Sequence, residues 1–166
     1  MSFGTTIQRI NDLAVSDAIR QSASAFPWLE SVHVIAICTV VGLIAVVDLR
    51  LIGVPAHTQS FRRLEGHTLP IVWGAFAFSL VTGVLMFASN AVRYIKNDDF
   101  QIKLLLLLLA FVNMCVFQYV IKRNPAFRDG EARFPIAARV TGAVSLVLWI
   151  SIVFFGRRIG FTLAPF

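Results

Sequence analysis

Four long, mostly apolar segments alternate with short polar connections along most of the chain, at residues 27–51, 68–92, 101–121 and 135–155. With a rise of ~1.5 Å per residue, each segment is long enough as a helix to cross a hydrocarbon layer of ~30 Å. Short connections place consecutive helices antiparallel. The pattern therefore predicts an all-α integral membrane protein whose residues 26–158 form an antiparallel four-helix bundle.

The segment before the first span, residues 1–25, has a different pattern. Charged residues such as Arg9 and Asp12 interrupt it, and we expect no signal peptide because it has no continuous apolar core. Apolar residues recur at helical spacing from Ile7 to Ala14. This predicts an amphipathic helix lying along the membrane interface, or alternatively a cap over one mouth of the bundle. Residues 159–166 are predicted to be a short tail.

Composition supports a membrane protein and argues against a nucleic-acid-binding protein. Hydrophobic residues make up 57% of the chain, which would leave too much wet apolar surface on a small soluble domain. The net charge is +6, but the basic residues lie at span ends and in connections, where anionic lipid head groups are their expected partners. No nucleic acid is expected to bind.

The basic residues of the connections also predict an orientation. Arg62 and Arg63, together with the basic third connection, outweigh Arg93 and Lys96 in the second. Because positive charge favours the cytoplasmic side, both termini are expected on the periplasmic side of a bacterial inner membrane.

Ionisable residues inside a span are costly and therefore indicate candidate sites. His33 lies early in the first span and Lys103 opens the third, so antiparallel packing places both in one mouth of the bundle. Met86 and Asn90, near the end of the second span, are expected at a similar depth. A histidine and a thioether can together ligate haem iron. The alternative is that Lys103 reaches the head groups and His33 donates to a carbonyl.

The opposite mouth has its own polar residues. Asp48 lies near the end of the first span and Arg139 near the start of the fourth, so we expect a structural ion pair between them. His67 is expected near Gln118 there. Cys38 and Cys115 fall inside spans without the spacing of a metal or redox motif. No phosphate-binding loop, HExxH or GxSxG motif occurs, so nothing indicates hydrolytic chemistry.

Several short motifs, taken in order, resemble an uncharacterised family of bacterial four-span inner-membrane proteins. They are Ile19-Arg20, Phe26-Pro27, Glu30, His33, residues 47–53 (VDLRLIG), residues 82–87 (TGVLMF), Phe100 and Lys103-Leu104. More distantly, an embedded His and a Lys opening a Leu-rich third span look like the superfamily of copper-resistance D proteins and oxygen-independent protoporphyrinogen oxidase.

This distant resemblance implies a cofactor and roles for two residues. It would make His33 an axial ligand of haem b and Lys103 a partner for a haem propionate or a tetrapyrrole carboxylate. Phe117-Gln118 stands where those relatives often have an aromatic residue followed by His. The missing second histidine removes a bis-histidine arrangement on that side.

Three hypotheses follow for the function. The first is a membrane redox protein that binds haem b, with His33, Lys103, Met86 and Asn90 around it, and passes electrons between a quinone and a partner protein. The second is a non-catalytic membrane subunit or scaffold, including a homo-oligomer, that associates through small-residue helix faces. The glycines that would mark close helix contacts are Gly42, Gly74, Gly83 and Gly142. The third is a copper-handling protein using His33, Met86 and Cys38.

Overall fold

Helices form all the regular structure in the part of the chain that this computed structural model describes, which is residues 3–54, 61–121, 123 and 134–163. Two short helices, α1 (Phe3–Asn11) and α2 (Ala14–Gln21), precede the long α3 (Ala25–Ile52) and α4 (Phe61–Ser89). The short α5 (Ala91–Ile95) leads into α6 (Asp98–Val116), which continues as a π-helical turn (Phe117–Ile121). The last helix is α7 (Ile136–Leu163).

Four of these helices, α3, α4, α6 and α7, are long and apolar enough to cross a membrane. This confirms the prediction of an all-α, four-span membrane protein. Two helices extend beyond the apolar segments: α4 already includes residue 61, and α7 continues to Leu163, so that residues 159–163 are helix rather than a loose tail. Hydropathy marks the hydrocarbon layer, whereas a helix continues for as long as its backbone hydrogen bonds do.

Local capping explains where the spans begin and end. At the end of α3, Gly53 adopts a left-handed conformation (φ 102°), and its N–H donates to the carbonyls of Leu49 and Arg50. The chain leaves helical geometry at Asn90, which separates α4 from α5. At the start of α6, the side chain of Asn97 accepts a hydrogen bond from the Phe100 N–H at 3.0 Å. These caps fix the relative positions of α4, α5 and α6 at one mouth.

The spans pack in the order α4, α3, α7, α6. A closed ring would also need α4 to pack along α6, but in the described residues this fourth pair has no comparable contact. Side chains link α4 and α6 near their two ends instead. Phe87 stacks on Phe100 at 5.5 Å between ring centroids, and at the other end Gln118 Nε2 lies 3.5 Å from Glu65 Oε1. The middle of the α4–α6 side is therefore the least closely packed part of the bundle.

The N-terminal helices cover the mouth where α3 begins, because α1 packs mainly on α5 and α2 on α4. Ser16 is completely buried in this contact and donates to the Ile10 carbonyl. Arg20 donates to the carbonyls of Ser89 and Asn11 and pairs with Asp17. The predicted amphipathic segment is thus helical and packs on the span ends at this mouth, where α1 and α2 together form an N-terminal cap.

Candidate functional site

His33 is held by a hydrogen bond between its Nδ1 atom and the Thr82 hydroxyl, at 2.8 Å. The same hydroxyl lies 3.0 Å from the Phe78 carbonyl and 3.1 Å from the Ser79 carbonyl of its own helix. A hydroxyl has a single proton to donate. When Thr82 gives that proton to its helix, it accepts from His33, so the neutral ring is protonated at Nδ1 and has its lone pair on Nε2.

Gly83 provides the space for the imidazole. A Cβ atom at this position would lie 3.1 Å from His33 Cε1, closer than ordinary van der Waals contact. The prediction that glycines mark close helix contacts holds at Gly83, and also at Gly142, whose Cβ would lie 3.1 Å from the Asp48 carbonyl oxygen. At Gly42 and Gly74 it is wrong within this chain, because a Cβ there would meet no described atom within 4 Å.

Lys103 reaches the same mouth from α6, as predicted. Its side chain lies across Gly156 of α7, with Nζ 3.3 Å from where a Cβ of Gly156 would be. The ammonium group is close enough to act electrostatically on His33. Among the described residues, no carboxylate lies within ion-pair distance of it. The mouth therefore combines a histidine whose Nδ1 is hydrogen-bonded with a cation that has no counter-charge among the described residues.

Met86 lies towards the end of α4, and Asn90 follows that helix directly. Met86 is half-buried and one helical turn beyond Thr82 on the same face of α4. Asn90 lies in the break between α4 and α5, where its main-chain carbonyl accepts from Arg93 and Tyr94. Both residues thus belong to the His33 end of the bundle, whereas the neighbours described for the ring are Thr82, Gly83 and the Ser79 carbonyl.

Three aromatic rings line this mouth between α4 and α6. Phe87 stacks on Phe100, and Tyr94 lies 6.2 Å from Phe87 and 5.3 Å from Phe100 between ring centroids. Tyr94 belongs to α5, outside the spans. Its burial, and to a lesser extent the nearby carboxylate of Glu30, raises the pKa of its hydroxyl above the ordinary value. The neutral phenol is therefore the form that the fold favours.

The predicted ion pair between Asp48 and Arg139 is absent from the described structure. Arg139 is exposed and its Nε donates to the Ile52 carbonyl at 3.0 Å. The physical reason is that the last carbonyls of α3 lack intrahelical partners and compete for donors. Asp48 is buried instead with one carboxylate oxygen, Oδ2, that has no hydrogen-bond partner.

Elsewhere at that mouth, Gln118 reaches Glu65 on α4, and His67 is exposed. Cys38 is exposed on α3, so it does not converge with His33 as the copper hypothesis requires. In the part of the chain that the structure describes, no group of three or more His, Cys, Asp or Glu side chains is arranged to hold a metal ion.

Sequence reasoning missed Thr82, which fixes the histidine, and Gly156, which accommodates the lysine. A signal for Thr82 was available, because buried polar residues recur along one face of α4 at intervals that suit a helix. These residues are Glu65, Thr68, Ser79, Thr82 and Ser89. Such a stripe in an otherwise apolar span indicates the side that faces the bundle interior.

Comparison with protein families finds one match, to a model described as Family of unknown function (DUF6644), over residues 23–162. This agrees with the predicted membership of an uncharacterised family. It gives no support to the more distant resemblance to copper-resistance D proteins and the protoporphyrinogen oxidase. No curated protein matches the chain. No solved structure matches it.

Proposed function

Because the chain belongs to this family of unknown function, its role has to be argued from its own residues, and we propose a membrane redox protein that holds haem b through His33. In this proposal it passes electrons between a quinone and a partner protein. One observation carries the proposal: the Thr82 hydroxyl is hydrogen-bonded to His33 Nδ1 at 2.8 Å, so that Nε2 is the ring nitrogen that could hold a ligand. Histidines that ligate metals are characteristically fixed in this way through their other nitrogen.

The surrounding residues fit a haem in charge and polarity. Lys103 offers an ammonium group without a described counter-ion, which suits a propionate. Phe87 and Phe100 provide apolar aromatic surface beside it. Met86 lies on the face of α4 that carries Thr82, where a thioether could serve as the second axial ligand. A bound haem b would supply one-electron transfer at this mouth.

The chain's own contribution is to fix the ligand and exclude water. Thr82 sets the tautomer and orientation of His33, and Gly83 leaves the clearance that the ring requires. Gly156 lets Lys103 lie against α7. The cap formed by α1 and α2 covers this mouth from the water side. Together these features pre-organise a histidine in an environment of low polarity, which is how a bundle tunes a redox cofactor.

Location and partners form part of the same proposal. With both termini on the periplasmic side of a bacterial inner membrane, the His33 mouth would also face the periplasm, and the partner protein would dock there. A quinone would approach from the bilayer, where Asn90 and Tyr94 offer polar groups near the membrane surface. Labelling of single cysteines in the N-terminal cap of intact spheroplasts tests this orientation.

The test is an oxidised-minus-reduced visible spectrum of the detergent-purified protein, with haem quantified as its pyridine haemochrome. His33→Ala is compared with His67→Ala, a matched control because His67 is exposed at the opposite end of the bundle. We expect a haem b signal in the wild type and the His67 variant, and its loss in a folded His33 variant. A folded wild type that stays colourless after haem supplementation would refute the proposal.

The second candidate is a non-catalytic subunit or scaffold that self-associates. The open surfaces at Gly42 and Gly74 favour it, since they leave room for another helix against α3 and α4. In that case Gly42→Leu and Gly74→Leu would shift the protein towards the monomer in analytical ultracentrifugation. The same variants would leave a haem spectrum unchanged, so the two candidates are distinguishable.

A further inference from the structure

A second buried ionisable group lies at the opposite end of α3 from His33. Asp48 is 15 residues further along the helix, or ~22 Å along its axis. Its exposed fraction is 6%, and its Oδ2 atom has no hydrogen-bond partner among the described residues. The haem proposal gives this carboxyl no role, and the predicted partner, Arg139, is bound to a main-chain carbonyl.

In the part of the chain that the structure describes, no counter-charge is paired with Asp48. The charged and titratable groups at this end, on α3 and on the helices packed against it, are Arg50 on α3, Glu65 and His67 on α4, and Arg139 on α7. Arg50 is two residues from Asp48 and therefore about 200° around the helix from it. Among the described residues none of these groups forms an ion pair with Asp48.

The burial of Asp48 suits a neutral acid better than a carboxylate. The Ser145 hydroxyl on α7 is its hydrogen-bonding neighbour and favours the carboxylate, but it carries no charge to balance one. Gly142 brings the α7 backbone against the α3 backbone at Asp48, so there is little space for water to solvate a charge from that side. A buried carboxylate with an unpartnered oxygen and no cation is strongly disfavoured, whereas the protonated acid carries no charge to solvate.

We propose that Asp48 is a proton-binding site that holds its proton at neutral pH and exchanges it with the aqueous face where α3 ends. In this exchange a hydronium ion gives its proton to the Asp48 carboxylate and becomes water, and the reverse step releases the proton to water. Asp48 is only four residues from the end of α3 at Ile52, so the aqueous phase is about one helical turn away. The proposal does not depend on haem at His33.

The experiment is infrared spectroscopy of the purified protein in lipid nanodiscs, which resolves the C=O stretch of a protonated carboxyl from the bands of carboxylates. We expect wild type at pH 7 to show one such band that shifts in D₂O and is lost in Asp48→Asn. The matched control is Asp98→Asn, because Asp98 is an exposed residue in the first turn of α6. This control should keep the band.

A pH titration of the wild type provides a second test that does not depend on whether the variant folds. The band should persist at pH 7 and disappear as the pH is raised, while circular dichroism shows the helices intact. Absence of a protonated band from folded wild type at pH 7 would overturn the proposal. So would a band that survives in folded Asp48→Asn, or a carboxylate at Asp48 whose signal responds to Na⁺ rather than to pH, which would indicate a cation site.

Discussion

Replacing Thr82 by Val tests whether the hydroxyl holds His33 as the structure shows. Valine nearly matches threonine in shape, so the substitution removes the 2.8 Å hydrogen bond without opening a cavity. A lost bond of this kind destabilises by about 1 kcal/mol, and bonds between membrane helices average about 0.6 kcal/mol. The Ser79 carbonyl is an alternative acceptor beside the ring, which favours the lower value. We therefore expect a coupling of about 0.6 to 1 kcal/mol between Thr82 and His33.

The assay is a double-mutant cycle on unfolding in mixed micelles, with Thr82→Val, His33→Ala and both together. Thr82→Ser is the control: it keeps the hydroxyl and therefore the bond, so a cycle built on Thr82→Ser should give a coupling near zero. Where haem is bound, Thr82→Val should also weaken haem affinity about 10- to 100-fold, as substitutions of groups that orient ligands do. The assignment of this bond would be refuted by a coupling indistinguishable from zero in the Thr82→Val cycle. It would also be refuted by equal couplings in the Thr82→Val and Thr82→Ser cycles.

Two further predictions concern the same mouth. Alanine in place of glycine stabilises an exposed helix position by up to about 1 kcal/mol, so Gly74→Ala, with open space around it, should raise the unfolding temperature. Gly83→Ala should not raise the unfolding temperature, because its methyl group would lie 3.1 Å from His33. An equal rise for Gly74→Ala and Gly83→Ala would contradict the packing. Burial raises the pKa of Tyr94, so the folded state keeps its proton after the unfolded chain has lost it, and stability should fall as the pH rises above about 10. Ultraviolet titration of the phenol should show a lower pKa in Glu30→Gln, and an unchanged value would exclude the proposed effect of Glu30.

The sequence predicts the spans well because length and apolar content alone decide whether a helix crosses a membrane. It also places His33 and Lys103 at one mouth, since depth follows from counting residues along antiparallel helices. The rotation of each helix about its axis is set by packing and is not available from hydropathy. For this reason the contact of His33 with Thr82 was not predicted, although Met86, one turn away, was named.

The prediction of an ion pair between Asp48 and Arg139 was wrong for a different reason. Pairing by charge considers only side chains, but the acceptor that Arg139 uses is the Ile52 carbonyl at the end of α3. Any residue type at position 52 would offer this carbonyl, so the sequence carries no direct signal for it. Helix ends supply such acceptors wherever the final carbonyls are uncapped.

The bond from Arg20 to the Ser89 carbonyl has a consequence for how the protein is made. The two residues are 69 positions apart, so the N-terminal cap has no docking surface until the first two spans have left the ribosome and entered the bilayer. Until then the two amphipathic helices remain undocked on the side of the membrane where α3 begins. A bulky tag fused to the N-terminus would therefore interfere with the last step of assembly.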